Sequence, residues 1–350
     1  MTSIFTKIKP FIFILFAISI THQARSQDDC SSILENAELL FDQGIIEDIP
    51  SLLFDCLEDG FTPQEKRRAQ KLLILSYLFD NRVQEAEDVM MNFLKENPEY
   101  EIQPGDPPEF TTLFAEFRTY PFLSAGVFFG GNLTSAVKLQ QYGPFNTNTD
   151  KGEFYITSPD IQVGAALHIF LTESIELNIE SIYTRYNFAY RNLQYGFAEV
   201  SMTEKHQRLE FPVSATYDLV DLSDTWIPYF RMGASYGMIV EASTDYTRSH
   251  INTGEEVFSP VEAKEVYIDG KRNSNVFSAI LGGGLKYKIQ RGYFFLDLRY
   301  SYGLSELVNP ETRWDQDTAF RFYYADSDFH LDHFSFSIGY RYSFFKSTKL

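Results

Sequence analysis

The densest group of potential metal ligands in this 350-residue sequence runs from Asp326 to His333 (DSDFHLDH). It offers carboxylates and imidazoles, both of which can bind zinc, but structural zinc sites usually show tighter Cys and His spacing. A solvated outer loop that leads into a strand explains the same composition. We therefore expect no metal and no cofactor.

A hydrolase needs a general base within hydrogen-bonding distance of its nucleophile. His168 could meet Ser214 or Ser235 across a closed interior. A single interior histidine is more often a polar filler, so the sequence favours a protein that is not an enzyme.

Charged residues form a third candidate group, and we predict a network of Glu210, Asp297, Arg299 and Arg341 inside the fold. Glu210 with the two arginines could be a ligand or proton site, or it could brace the structure. The inward-facing charges nearly balance, as buried charges must be paired. They are Arg208, Arg231, Lys286, Lys288, Arg299 and Arg341 against Glu176, Glu180, Glu210, Asp218 and Asp297.

The elements that must position these charges are strands, because the apolar pattern after residue 121 has a period of two. In the last strand, Phe334, Phe336 and Ile338 alternate with serines and a glycine. The pattern predicts eight antiparallel strands: Phe122–Leu133, Asp160–Leu171, Ser174–Tyr190, His206–Leu219, Trp226–Tyr246, Val276–Ile289, Tyr293–Leu304 and His333–Phe345.

Alternation alone also fits a soluble sandwich with an apolar inner face. Here the apolar face ends in Tyr and Phe, and the other face mixes Gly and Ser with charges, which is typical of a membrane barrel with a narrow interior. The connections 172–173, 220–225 and 290–292 are short, whereas 138–157, 191–205, 247–275 and 305–332 are long. Outer-membrane barrels have short periplasmic turns. An even number of strands then places both barrel ends in the periplasm.

Residues 27–120 show helical spacing instead. Two helical hairpins lie about one tetratricopeptide period apart. In the second, Tyr77, Ala86, Met90 and Pro98 fall at that repeat's positions. In the first, Phe41, Phe54 and Leu57 fit, but Pro50 replaces the small residue. The segment is either a protein-binding module or a small structural bundle.

The two cysteines, Cys30 and Cys56, both lie in this helical segment. Residues 1–26 precede it and have the pattern of a signal peptide: Lys7 and Lys9, then the apolar run Phe11–Ile20. Export to an oxidising compartment predicts a disulfide between the cysteines. The net charge of −18 excludes nucleic acid as a probable class of ligand, since phosphate binding requires basic surfaces.

Several strand segments resemble the PorT-like outer-membrane β-barrel family of Gram-negative bacteria over residues 122–350. They are Arg208–Val213, Gly282–Leu285 with Tyr287, and Arg299–Leu304. The end of the sequence, with Gly339, Tyr342 and Phe344, is similar to the signal that the barrel-assembly machinery reads. The resemblance implies a barrel in contact with outer-membrane lipid, and some members of the family assist protein secretion and gliding.

We therefore expect a mainly β protein: an eight-stranded antiparallel transmembrane β-barrel (121–350) after a signal peptide (1–26) and a small, tetratricopeptide-like helical periplasmic domain (27–120). The expected role is envelope structure, or support of secretion or assembly, with a periplasmic protein partner bound through 27–120. The alternative is a small-solute channel or transporter. An eight-stranded barrel is filled by its own side chains, so we expect no wide pore.

Overall fold

The computed structural model describes residues 29–143, 152–194, 196–219, 225–251 and 259–350, and the predicted signal peptide lies outside these ranges. Within them, no helix is long and apolar enough to cross a membrane. The chain divides into two compact units. One contains the residues up to Tyr120 together with Phe345–Leu350, and the other contains Pro121–Phe344.

The first unit is helical. Its helices are α1 (29–42), α2 (Ile49–Glu58), α3 (Pro63–Phe79), α4 (Val83–Glu96) and α5 (Pro108–Phe114). Helix α3 begins with a capping box, in which Thr62 and Glu65 exchange side-chain and backbone hydrogen bonds. One apolar core joins α1, α2 and α3, and a second joins α3, α4 and α5. The predicted helical segment is thus confirmed.

A disulfide joins Cys30 of α1 to Cys56 of α2, as the sequence predicts, with their Cα atoms 5.7 Å apart. The tetratricopeptide pattern predicts the buried positions of α2 less accurately. Phe54, which we assigned to a core position of the first repeat, is 63% exposed. Helix α2 buries Ile49 and Leu53 instead, because its apolar face lies one residue away from the repeat register.

The second unit is a ring of eight antiparallel strands, which confirms the predicted strand number. The ring strands are β1 (Phe117–Gln140), β3 (Asp160–Phe170), β4 (Ile175–Gln194), β5 (Ala198–Asp218), β6 (Trp226–His250), β8 (Asn275–Ile289), β9 (Gly292–Gly303) and β10 (Asp328–Lys349). Their order around the ring is β4, β3, β1, β10, β9, β8, β6 and β5, and pairing between β5 and β4 closes the ring.

Three of the four predicted long loops contain further structure, and one is mostly strand. Short strands β2 (Glu153–Ile156) and β7 (Val261–Tyr267) pair with β4 and β6, and helix α6 (Gln316–Phe322) precedes β10. The predicted loop 191–205 is wrong, since β4 and β5 continue through most of it as one long hairpin.

The ring carries its large apolar side chains on the outside. In β10, Phe336 is 53% exposed and Ile338 is 46% exposed, while Ser337 and Arg341 on the opposite face are buried. A soluble sandwich would bury the apolar face instead. Leu209, Phe211, Val213 and Tyr217 of β5 share this outward orientation.

The polarity of the two faces reverses farther along the same strands, toward the long connections. In β5 the outward residues there are polar, Lys205 among them, and Val200 and Met202 point inward. The inward side chains form an apolar core with Phe322 of the β9–β10 connection and Phe329 at the start of β10. This core, which we call the cap, closes the end of the ring that carries the long connections, the loop end. The opposite end is the turn end.

We predict that the outward face contacts hydrocarbon at the level of Ile338, which lies opposite Leu296 of β9. Ile338→Lys should then lower the free energy of unfolding by about 2–4 kcal/mol, because it places a charge at the bilayer midplane. Urea unfolding of the protein in lipid vesicles measures this difference.

Phe344→Lys is the matched control, since Phe344 faces outward near the turn end of the same strand. It should cost about 0–1 kcal/mol, because the penalty decreases toward the interface. Equal costs for the two variants would contradict a hydrocarbon-facing exterior.

Candidate functional site

The interior of the ring holds its charges in layers, of which the basal cluster lies nearest the turn end. It comprises Glu176, Asp218, Lys286 and Arg341, all buried. The Arg341 guanidinium donates to both oxygens of Glu176, at 2.7 and 2.8 Å. The Lys286 ammonium contacts Glu176 at 2.9 Å and Asp218 at 2.6 Å. Two cations and two carboxylates therefore neutralise one another.

The next layer toward the loop end is the central cluster. It also balances two cations against two carboxylates, and its members are Glu180, Asp297, Arg231 and Arg299. Arg231 and Arg299 both donate to Glu180, and Arg299 also donates to Asp297. The Tyr229 hydroxyl donates to Asp297 at 2.8 Å. A Cβ at Gly284 would lie 2.6 Å from that hydroxyl, so the glycine leaves the space that the tyrosine occupies.

The grouping of Glu210 with Arg299 and Arg341 was wrong. Arg299 and Arg341 bind Glu180 and Glu176, and Glu210 instead accepts a hydrogen bond of 2.8 Å from the Tyr186 hydroxyl. The reason is register, because these three residues lie on different strands at different heights. Lys288, predicted to face inward, is exposed near the turn end.

A third cluster of charges, the upper cluster, lies next to the cap. The sequence analysis did not predict it. Arg272 donates to both oxygens of Glu204, at 2.6 Å each, and to both oxygens of Asp326, at 3.0 Å each. His206 contacts Glu204 at 2.5 Å. Glu204 and Arg272 lay in predicted loops. The signal that could have found Glu204 is the continued alternation of Ala198, Val200 and Met202, which extends β5.

The stretch Asp326–His333 is buried, which corrects our expectation of a solvated loop. Asp328 accepts from Arg313, and Asp332 accepts from the Tyr300 hydroxyl and the Gly303 amide. Its carboxylates thus serve protein donors. Among the described residues, no group of His, Cys, Asp and Glu side chains could hold a metal ion.

His168 is buried beside the basal cluster, and its Nδ1 lies 2.5 Å from the Asn178 side-chain oxygen. Ser214 accepts a hydrogen bond from Arg231 at 2.9 Å, so that serine belongs to the central cluster. Ser235 lines a separate cavity near Glu210. The structure therefore does not bring His168 and either serine together as a base and nucleophile.

Small cavities lie between the layers in the described part of the interior. One of about 20 Å³ is lined by Arg208, Glu210 and His333, and one of about 10 Å³ is lined by His168 and Arg341. Each is close to the minimum size for a single water molecule. The interior can hold isolated waters between fixed charges, and it offers no room for a larger solute at these points.

The predicted assembly signal lies on β10 near the turn end. Gly339 faces inward, where a Cβ would meet the Phe295 ring at 2.6 Å. Tyr342 and Phe344 face outward with their ring centroids 5.3 Å apart. The two aromatic residues thus belong to the exterior face, as the spacing of the signal implies.

In the helical unit, a charged cluster lies at the junction before α5. Lys71 donates to Asp106 and to the Tyr100 hydroxyl at 2.5 Å each, and Tyr100 donates to Asp106 at 2.5 Å. Burial raises the pKa of Asp106, but hydrogen bonds from Lys71, Tyr100 and the Gln103 amide outweigh it, so the pKa lies below its usual value. This cluster fixes the junction to α3.

Residues 114–309 match the model of a protein family described as outer membrane protein beta-barrel domain, over more than half of the chain. No curated protein matches the sequence. OprG from Pseudomonas aeruginosa aligns with 64% of this chain and 97% of its own, at 11% identity and a TM-score of 0.36. Neisserial surface protein A aligns with 63% and 97%, at 13% identity and a TM-score of 0.32. The protease OmpT from Escherichia coli aligns with 65% and 98%, at 11% identity and a TM-score of 0.36.

We predict that Glu180→Gln lowers the free energy of unfolding by about 3–5 kcal/mol, because it leaves Arg231 and Arg299 with one carboxylate between them. The double variant Glu180→Gln with Arg231→Met should cost less than the sum of the two single changes. Urea unfolding of all four proteins of this cycle measures the coupling.

Lys288→Ala is the control, because Lys288 is a charged residue at the turn end of β8 that is exposed and belongs to none of the charge clusters. It should change the free energy of unfolding by less than about 0.5 kcal/mol. Additive effects of Glu180→Gln and Arg231→Met would show that the central cluster is not coupled.

We predict that acid weakens the helical unit through Asp106. A depressed pKa means that the stabilisation is present above the unfolded-state value and is lost as the pH falls through the folded-state value. Asp106→Asn should lower the melting temperature of the helical transition at pH 7 and remove part of its decrease below pH 4. Circular dichroism at 222 nm follows this transition; an identical acid response in the variant would contradict the assignment.

Proposed function

The chain belongs to the outer membrane protein beta-barrel domain family, and from this premise we propose a non-enzymatic barrel of the bacterial outer membrane whose helical unit binds another protein in the periplasm. The proposed role is envelope structure, or support of secretion or assembly. The observation that carries the proposal is that paired charges and an apolar cap fill the interior of the ring, so that a protein partner would bind outside it, and the helical unit offers an exposed surface for that partner.

The filled interior argues against the small-solute channel. A solute would have to pass the basal, central and upper clusters and then the cap. Each cation in the first two clusters bonds to carboxylates on other strands, as Arg341 of β10 does to Glu176 of β4. Opening a path would separate buried charge pairs, and each broken pair costs about 3–5 kcal/mol.

The two ends of the ring support a proposal for its orientation. The turn end carries the connections 171–174, 219–225 and 290–291, and β1 begins and β10 ends there. Outer-membrane barrels keep short connections in the periplasm. We therefore propose that the helical unit is periplasmic and that the cap lies outside the cell.

The chemistry of the helical unit suggests the kind of partner. Residues 29–120 contain 20 acidic and seven basic residues, which gives a net charge of −13. Leu39, Phe54 and Phe79 are exposed among these charges. A partner segment with basic residues around an apolar anchor would complement such a surface.

The finer family assignments are also proposals. The helix pairs α1–α2 and α3–α4 support a tetratricopeptide-like module, with Ala86 and Met90 fully buried at two of the repeat positions. The segments Arg208–Val213 and Arg299–Leu304 support a PorT-like barrel, since both lie on ring strands with their charged residues inward.

Labelling with a membrane-impermeant maleimide tests the orientation. Lys264 lies on β7 at the loop end, and Glu87 lies on α4, so each can be replaced by Cys in a separate variant. The two native cysteines are joined as a disulfide and do not react with the maleimide. Lys264→Cys should react on intact cells, whereas Glu87→Cys should react only after the outer membrane is permeabilised. The reverse pattern would overturn the proposed orientation.

Photocrosslinking in cells tests the binding role with the full chain. A benzophenone amino acid at Phe54 or Leu39 should give a discrete crosslinked species with an envelope protein. Reversing the charge of the neighbouring Asp55 and Glu58, to Lys in both cases, should reduce its yield several-fold, because the new lysines would repel the basic residues of the partner.

The same amino acid at Phe334 is the control, since that side chain faces outward on β10. It should give no protein crosslink that depends on Asp55 and Glu58. If Phe54 and Leu39 give no discrete species either, the helical unit is a structural bundle and the binding role is wrong.

A further inference from the structure

A groove of about 520 Å³ opens at the loop end of the ring, outside the filled interior. It lies between the segment that follows β7 and the connection that precedes α6. Its main side chains are Tyr267, Lys271, Glu311, Thr312, Trp314 and Asp315. None of these residues belongs to the charge clusters of the interior.

Hydrogen bonds tie the two walls of the groove to each other. Lys271 donates to Asp315 at 2.5 Å and to Thr318 at 3.0 Å. The Asn309 amide donates to the Lys271 carbonyl at 3.0 Å, and the Thr312 hydroxyl donates to the Gly270 carbonyl at 3.3 Å. The groove is therefore formed before any ligand binds, which lowers the entropic cost of binding.

Two aromatic side chains remain exposed at the groove. Tyr267 is 68% exposed and Trp314 is 48% exposed. The Trp314 ring makes an edge contact with Tyr142, at 6.3 Å between ring centroids, which restrains its orientation. Such rings present flat apolar faces beside polar tips, and aromatic residues with a few polar groups are the usual lining of small-molecule sites.

The charges in the groove limit the class of ligand. The Lys271 ammonium is already paired with Asp315. Glu311 adds a second carboxylate, and the lining has no second cation to balance it. The net charge of the lining is therefore −1, which disfavours phosphate, sulfate and other anions. A purely apolar ligand would cover Glu311, Thr312 and Asp315 without replacing their hydrogen bonds to water.

A ligand that satisfies both conditions is uncharged, has apolar faces for the rings, and carries many hydroxyl groups. We propose that this groove binds a neutral oligosaccharide. Sugar rings stack on Tyr267 and Trp314, and their hydroxyls donate to Glu311 and Asp315. The volume falls within the roughly 300–1,000 Å³ that is typical of small-molecule sites.

The protein has two tryptophans, so Trp226→Phe leaves Trp314 as the single fluorescent reporter. This full-length variant, in detergent, is titrated with maltotriose, cellotriose and chitotriose. At least one should give a saturable change in Trp314 emission, with a Kd on the order of 1 mM or tighter. Tyr267→Ala in the same background should weaken that binding about tenfold or more.

Phe320→Ala is the matched control, because Phe320 is an exposed aromatic residue on α6 that does not line the groove. Its affinity should equal that of the parent, and heat-modifiable migration verifies that each variant is folded. The proposal is overturned if none of the three sugars gives a saturable change, if Tyr267→Ala and Phe320→Ala behave alike, or if a sulfated heparin fragment binds more tightly. None of these outcomes depends on the helical unit or on the orientation of the barrel.

Discussion

Internal charge pairing is the constraint on which the barrel depends. A ring whose exterior faces hydrocarbon must carry its apolar side chains outside, so its interior cannot be an apolar core. The basal and central clusters replace that core with two cations and two carboxylates each, held by contacts such as Arg341 to Glu176 and Arg299 to Glu180. Because the partners lie on strands that are distant in the sequence, the pairs also fix the register of the closed ring. The pairs stabilise such an interior, since a charge left alone there is costly.

The same strands extend beyond the apolar band of the exterior, and there the polarity of their two faces changes. Where β4, β5 and β6 extend past it, water surrounds the outside, and the inward and outward faces exchange polarity. Val200 and Met202 then point into an apolar core with Phe329, in the way of an ordinary soluble fold. One continuous strand thus has hydrocarbon outside one part of its length and water outside the other. The cap that results closes the loop end, and the groove at Tyr267 and Trp314 opens at the same end.

These two arrangements separate the molecule into parts with different possible roles. The interior is occupied by its own side chains, so its charges brace the ring. The binding sites that we propose are therefore on surfaces: the acidic helical unit for a protein partner, and the groove at the loop end for a neutral sugar. The two proposals use different residues and different tests, and the family to which the chain belongs places the barrel in the bacterial outer membrane.

The sequence by itself determined the strand number, the outward face and the disulfide between Cys30 and Cys56, because alternation and cysteine pairing are local or nearly local signals. It also identified the interior charges Asp297, Arg299 and Arg341. It could not pair them, since pairing depends on how far each strand slides against its neighbour. Only the tertiary structure decided that Glu176 and Glu180, and not Glu210, bind the arginines. The reversed alternation after Ala198 predicts that β5 extends to Glu204. The sequence does not predict the contact of Glu204 with Arg272, nor that of Arg272 with Asp326. Those three residues come from three separate connections or strands, and only the closed ring and its cap bring them within hydrogen-bonding distance.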